Sequence, residues 1–172
     1  FWQYSPFGYF PEHGIAVNCE HIPMHIDRGT LENLLDFVDK FPHYYIGCNA
    51  PLERIGGSVL AHDHYQGGNE ILPINKARIR TKIKDKKYPY VTVGILDWAG
   101  TVIRIKSDKR NEIIDITDRL CKAWVNYNNI ELGIIAKNKN GDHNAISPNL
   151  IKTVNGYEMN VILRSNITSE EY

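Results

Sequence analysis

Cysteine is scarce in this sequence: Cys19, Cys48 and Cys121 are all there is in 172 residues. An odd and scattered set argues against a disulfide framework and predicts a reduced, cytoplasmic setting. No apolar run approaches the roughly 18 residues a membrane span needs, and the first residues do not read as a signal peptide. An excess of either charge is missing too. Twenty Lys and Arg balance twenty Asp and Glu, which leaves no overall field to gather nucleic acid or a membrane surface. Repeats, low-complexity tracts and dividing linkers are likewise absent. What remains, with 42% hydrophobic residues, suffices for a single domain over residues 1–172 with a real core. The chain opens at Phe1 without a methionine and stops at Tyr172 in a polar stretch, so it reads as a fragment of a longer protein.

Local patterning predicts an α+β fold, many antiparallel strands with two main helices. Phe1–Pro11, rich in aromatics, reads as an ordered arm, and Gly14–Asn18 as a short strand. Thr30 is a good N-cap for a helix whose Leu31, Leu34, Leu35 and Val38 follow helical spacing as far as Pro42. Tyr44–Cys48 is a second strand. Lys76–Lys84 alternates basic and apolar residues, as a half-buried strand does. Its basic face fits a lysine-protected edge, or a surface that attracts phosphate or meets a subunit. Val91–Leu96 and Thr101–Lys106 form a hairpin. A helix capped by Ser107 or Asp108 runs to Tyr127, burying Ile113, Thr117, Leu120, Trp124 and Tyr127. Strands are predicted at Ile130–Ala136 and Ile151–Val154, the latter turning through Asn155-Gly156 into Tyr157–Arg164.

The stretch Gly56-Gly57-Ser58-Val59-Leu60-Ala61-His62-Asp63-His64-Tyr65-Gln66-Gly67-Gly68 carries the chemistry. On a strand, His62, His64 and Gln66 share one face. Glycine pairs on either side let backbone N–H groups approach a bound phosphate. A neutral imidazole at His64 is nucleophilic near neutral pH and needs no prior loss of a proton. Gln66 can hydrogen-bond a phosphoryl oxygen but cannot deliver a proton, which favours exchange between phosphates over expulsion of a poor leaving group. His62 is a metal ligand, an orienting group or a plain strand residue. An H-x-H pair is a weak metal signal, since a structural zinc site wants four ligands. Cys19, His21, His25 and Cys48 could add to it, but no spacing joins them. His13, His43 and His143 default to ordinary hydrogen bonding, and Cys48 lacks an obvious partner base.

His62-Asp63-His64-Tyr65-Gln66 resembles the H-x-H-x-Q signature of the galactose-1-phosphate uridylyltransferases, a branch of the histidine-triad superfamily. Glu12–Ile15, Asn18–Met24, Phe41–Ala50, Gly56–Ser58 and Leu163–Ser169 resemble the second, bacterial type of that enzyme, so the likeness covers nearly the whole chain. It implies a histidine-triad-like antiparallel sheet. It also implies a ping-pong exchange in which UDP-glucose uridylylates a histidine and galactose-1-phosphate then takes the group. The matching positions are His64 as nucleophile, Gln66 as phosphoryl holder and His62 as first motif histidine. Asn49, Gly56, Gly57, Ser58, Gly67 and Gly68 fall where substrate-binding groups are expected. No cofactor is required for that chemistry. Zinc, bound by the first histidine in the better-known type, lacks its cysteine pair here, and Asp63 stands where that type has proline. Family members are longer and have two related halves. Expected partners are therefore the rest of the enzyme and a second subunit in a homodimer, besides the substrates UDP-glucose and galactose-1-phosphate, with no nucleic acid and no membrane. The competing readings are a non-catalytic nucleotide- or metal-binding module of the same fold, or a histidine-triad nucleotide hydrolase or phosphorylase.

Overall fold

Eleven strands and three helices follow the chain in a computed structural model that describes residues 1–56 and 59–167. They are β1 (Trp2–Tyr4), β2 (Gly14–Val17), α1 (Arg28–Lys40), β3 (Tyr45–Gly47), β4 (His64–Gly68), α2 (Pro73–Lys76), β5 (Ile79–Ile83) and β6 (Thr92–Leu96). Then come β7 (Val102–Ser107), α3 (Arg110–Val125), β8 (Lys137–Asn138), β9 (Gly141–Asp142), β10 (Asn144–Thr153) and β11 (Gly156–Ser165). Nine strands form one sheet in the order β1-β2-β4-β3-β10-β11-β7-β6-β5, and β8 and β9 pair apart from it. Every pairing is antiparallel. The expected α+β class with two main helices holds.

Alternation along the strands gives the sheet a packed face and an open one. Ile46, Ile103, Ile105, Ile146, Leu150, Met159 and Val161 point to the packed face. There they meet Leu31, Leu34, Leu35 and Val38 of α1 and Ile113, Ile114 and Ile116 of α3. On the open face, α2 lies over β7 and β11, held by a buried arginine. Arg104 donates from Nε to Asn160 Oδ1 (2.8 Å), from Nη1 to Ala77 O (2.8 Å) and from Nη2 to Ile74 O (2.6 Å). Ile74, Leu96 and Val102 form a small second core beneath it. Among the described residues no helix is long and apolar enough to cross a membrane.

Several sequence expectations are corrected. The N-cap of α1 is Asp27, whose carboxylate accepts from Thr30 N (2.9 Å) while Thr30 Oγ1 takes the Asp27 N–H (3.3 Å). Thr30 is the inner half of a capping box. Ile130–Ala136 is not a strand. Ile130–Leu132 makes a 3₁₀ turn, stopped by Gly133 at φ 68, and leaves Ile130 and Leu132 exposed. Tyr127 lies beyond the end of α3 and is exposed rather than buried. Lys76 belongs to α2, and the basic strand begins only at Ile79, at the edge of the sheet. That position suits the lysine-protected edge. The strand predicted from Ile151 starts seven residues earlier, at Asn144.

Candidate functional site

Strand β4 is clamped between β2 and β3, with Ile15 opposite Gln66, Val17 opposite His64 and Gly47 opposite Gln66. Between them, Tyr65 turns to the packed face, where its hydroxyl accepts from Asn33 Nδ2 of α1 (3.1 Å) and burial raises its pKa to about 12. His64 and Gln66 therefore share the open face.

His62 departs from the expectation. The strand begins at His64, and His62 sits in the bend before it. The reason lies in Asp63, which is 1% exposed and ties down the segment after β2. Its Oδ2 accepts from Asn18 Nδ2 (3.2 Å), its N–H donates to Ile22 O (2.8 Å) and its carbonyl accepts from Asn18 N (3.0 Å). Pulled toward that loop, His62 donates from Nε2 to Asn18 O (2.9 Å) and meets the His21 ring edge-on at 4.6 Å. Its ring still lines a cavity of about 200 Å³ with His64, Ile15 and Val17.

The bend sets the state of His64. Its Nδ1 lies 2.9 Å from the His62 carbonyl oxygen. A carbonyl only accepts, so Nδ1 carries the hydrogen and Nε2 of the neutral ring keeps its lone pair. The ring nitrogen that keeps a free lone pair is thus chosen by a backbone contact two residues away.

Gln66 opens into a neighbouring slot of about 160 Å³ that is also lined by Gly47, Asn49, Ser147 and Asn149. In the sheet register Gln66 faces Gly47, and Gly47 faces Asn149. The two amides stand two strands apart, about 10 Å between backbones, with only glycine between. A Cβ on Gly47 would meet Pro148 O at 2.7 Å and Asn149 Nδ2 at 3.5 Å. Asn149 is 9% exposed, and its Oδ1 is buried without a partner among the described residues. Asn149 lies before Ile151, where the sequence pattern places the start of the strand, and it follows a proline, so the pattern gives it no strand position.

His13 was also missed as a site residue. It is 3% exposed, lies against Phe10 at 4.1 Å and places Nε2 3.1 Å from Gln66 Oε1.

The glycines serve differently from one another. Gly67 and Gly68 are paired within β4, and their missing side chains admit Ile46 and Phe10. Gly56 donates its N–H to Leu52 O (2.9 Å), in a turn too close for a Cβ. Gly57 and Ser58 lie outside the described residues, as do Thr168 and Ser169.

The residues do not fit zinc. Among the described residues no group of three or more His, Cys, Asp or Glu could hold a metal ion. His62 Nε2 is committed to Asn18 O, and Cys48 is buried, which drives its thiol pKa far up. The same burial removes Cys48 as a nucleophile. A larger hollow, about 410 Å³, includes His25, Cys121 and Asp142 but lies away from His64.

A scan against protein-family models finds no match. Among curated proteins, the chain is 53% identical over 173 residues to the galactose-1-phosphate uridylyltransferase of Bifidobacterium longum, covering 100% of this chain and 34% of that protein. Identity is 42% to the enzyme of that name from Fusobacterium nucleatum, over 99% of this chain and 33% of that one. It is 39% to galactose-1-phosphate uridylyltransferase 1 of Streptococcus pneumoniae, over 99% and 35%. The chain spans about a third of the length of these relatives. Among solved structures it matches a DUF4931 family protein from Bacillus cereus with a TM-score of 0.58, covering 99% of this chain and 84% of that one. At 13% identity that likeness speaks to the fold alone.

Proposed function

From a chain homologous along its whole length to about a third of each galactose-1-phosphate uridylyltransferase it matches, we propose the nucleophile-bearing segment of a UDP-glucose–hexose-1-phosphate uridylyltransferase. His64 Nε2 attacks the α-phosphorus of UDP-glucose. A P–N bond forms, the P–O bond to the departing phosphate breaks, and glucose-1-phosphate leaves. A phosphate oxygen of galactose-1-phosphate then attacks the same phosphorus, the P–N bond breaks and UDP-galactose departs. Glucose-1-phosphate leaves as a stabilised anion in the first step and the His64 ring, still protonated on Nδ1, leaves as neutral imidazole in the second, so no general acid is needed beside either. Gln66 holds a phosphoryl oxygen through its amide N–H groups, and Asn49 lines the same slot.

The observation that carries this reading is the His64 Nδ1 hydrogen bond to His62 O at 2.9 Å, which aims the free lone pair of Nε2 away from the backbone. The alternative, a binding module of the same fold, would not need a ring fixed in one tautomer beside a glutamine whose NH₂ group has no protein partner among the described residues.

The test uses the full-length enzyme with UDP-glucose radiolabelled in the uridylyl group. Acid-labile label should appear on the wild type and not on His64→Ala, while His64→Gly should recover turnover in proportion to added imidazole. Label on His64→Ala at the wild-type rate would overturn the assignment.

A further inference from the structure

We infer that His13 is a positioning residue that sets the orientation of the Gln66 amide. The inference rests on the reading of Gln66 as the phosphoryl holder. A glutamine amide can be turned over at little cost, and one orientation presents N–H donors to a phosphoryl oxygen while the other presents a repelling carbonyl. Something must choose between them.

The contacts of His13 make that choice. Tyr9 N lies 3.4 Å from Nδ1 of His13, and a backbone N–H only donates. Nδ1 must therefore accept, which places the ring hydrogen on Nε2. Nε2–H in turn donates to Gln66 Oε1 at 3.1 Å. With its oxygen engaged, Gln66 turns its NH₂ group toward the slot over Gly47, where it has no protein partner among the described residues.

The backbone is built to hold this ring. Glu12, the preceding residue, sits at φ 54, a left-handed conformation that costs a residue with a side chain about 1 kcal/mol or more. Its carboxylate is tied by Tyr44 Oη and by Asn69 Nδ2 at 3.4 Å. His13 O accepts from Ser5 N (2.8 Å) and His13 N donates to Phe10 O (3.2 Å), so both backbone polar groups are engaged as well. Phe10 and Tyr9 cover the ring at 4.1 and 5.6 Å. A strained, doubly anchored turn that buries one histidine onto one glutamine oxygen is more than a loop needs.

Three variants of the full-length enzyme test this. His13→Phe keeps an aromatic ring and loses the donor. It should lower the rate of covalent uridylylation about five- to tenfold, the bias an ordinary neutral hydrogen bond sets between two amide orientations, and act on kcat more than on KM. His13→Gln returns an N–H near the same place and should recover most of that loss. In a Gln66→Ala background, itself down about 10²–10³, His13→Phe should have no further effect, because the residue acts only through Gln66. Equal losses for Phe and Gln, or losses that multiply with Gln66→Ala, would overturn the inference. So would ¹⁵N spectra of the wild type showing His13 protonated on Nδ1. Failure of the parent reading looks different: the wild type takes no label at His64, and the His13 tautomer together with UDP-glucose binding to His13→Phe then decides His13 by itself.

Discussion

Replacing Asn149 by aspartate tests where the phosphoryl group sits. Asn149 and Gln66 face each other over Gly47, so a phosphoryl centre in the slot is about 5–6 Å from either side chain. Aspartate is nearly isosteric with asparagine and leaves the packing of the slot unchanged. It adds one negative charge beside another. At an effective dielectric of about 20, two unit charges 5.5 Å apart repel by about 3 kcal/mol, or slightly over a hundredfold in affinity. Asn149→Ala removes only one donor to an anion, worth about 1.5 kcal/mol or about tenfold. Titration calorimetry with UDP-glucose on full-length enzyme carrying His64→Ala, which blocks turnover, should therefore rank wild type, then Ala, then Asp. Raising the salt should narrow the gap for Asp but not for Ala. If Asp and Ala bind within about twofold of each other, the phosphoryl group is elsewhere and the slot between the amides is not its seat.

Two predictions concern the frame around the site. Arg104→Met would orphan Ile74 O, Ala77 O and Asn160 Oδ1 under α2. It should cost about 3–5 kcal/mol, seen as a fall in Tm of about 8–15 °C; a fall under 3 °C would mean α2 is held by its apolar contacts alone. Asp115 accepts from Tyr88 Oη (2.6 Å), Arg28 Nη1 (2.8 Å) and Lys87 Nζ (2.9 Å), contacts that hold its carboxyl well below the usual carboxylate range. A folded-state pKa below the unfolded one gives stability that is present above about pH 4 and is lost as pH falls through the folded value. Asp115→Asn should thus be less stable at pH 7 by about 1–2 kcal/mol, given the partial exposure of the site. The gap should close in acid. A gap independent of pH in urea titrations would refute the linkage.

The sequence made His64 and Gln66 legible because a period of two on a short strand leaves little choice of face. It also made the β10–β11 turn legible, since Asn155-Gly156 is a strong local signal. His62 was misplaced because the cause is tertiary: Asp63 is drawn to Asn18 and Ile22, some forty residues away. The start of β10 was hidden by Pro148, which normally excludes a central strand. Here Pro148 O accepts from Cys48 N just past the end of β3, so the missing N–H falls where the neighbouring strand has stopped. His13 gave no signal, because a lone histidine reads the same whether it orders a loop or aims a partner.

The order of the strands has a consequence in time. Among the described residues, the block β1-β2-β4-β3 meets the rest of the sheet only where β3 pairs with β10, and β10 begins at Asn144, eighty residues after His64. During synthesis His64 leaves the ribosome long before Asn149 exists. The hairpin β10–β11 closes locally and quickly, whereas the seam joining Gly47 to Asn149 spans more than a hundred residues and pays a large loop-closure entropy first. Until that seam closes, the slot over Gly47 has one wall. The nascent chain can thus hold His64 and Gln66 without the facing amide of Asn149, and the two-sided slot arrives only with the last strands of the sheet.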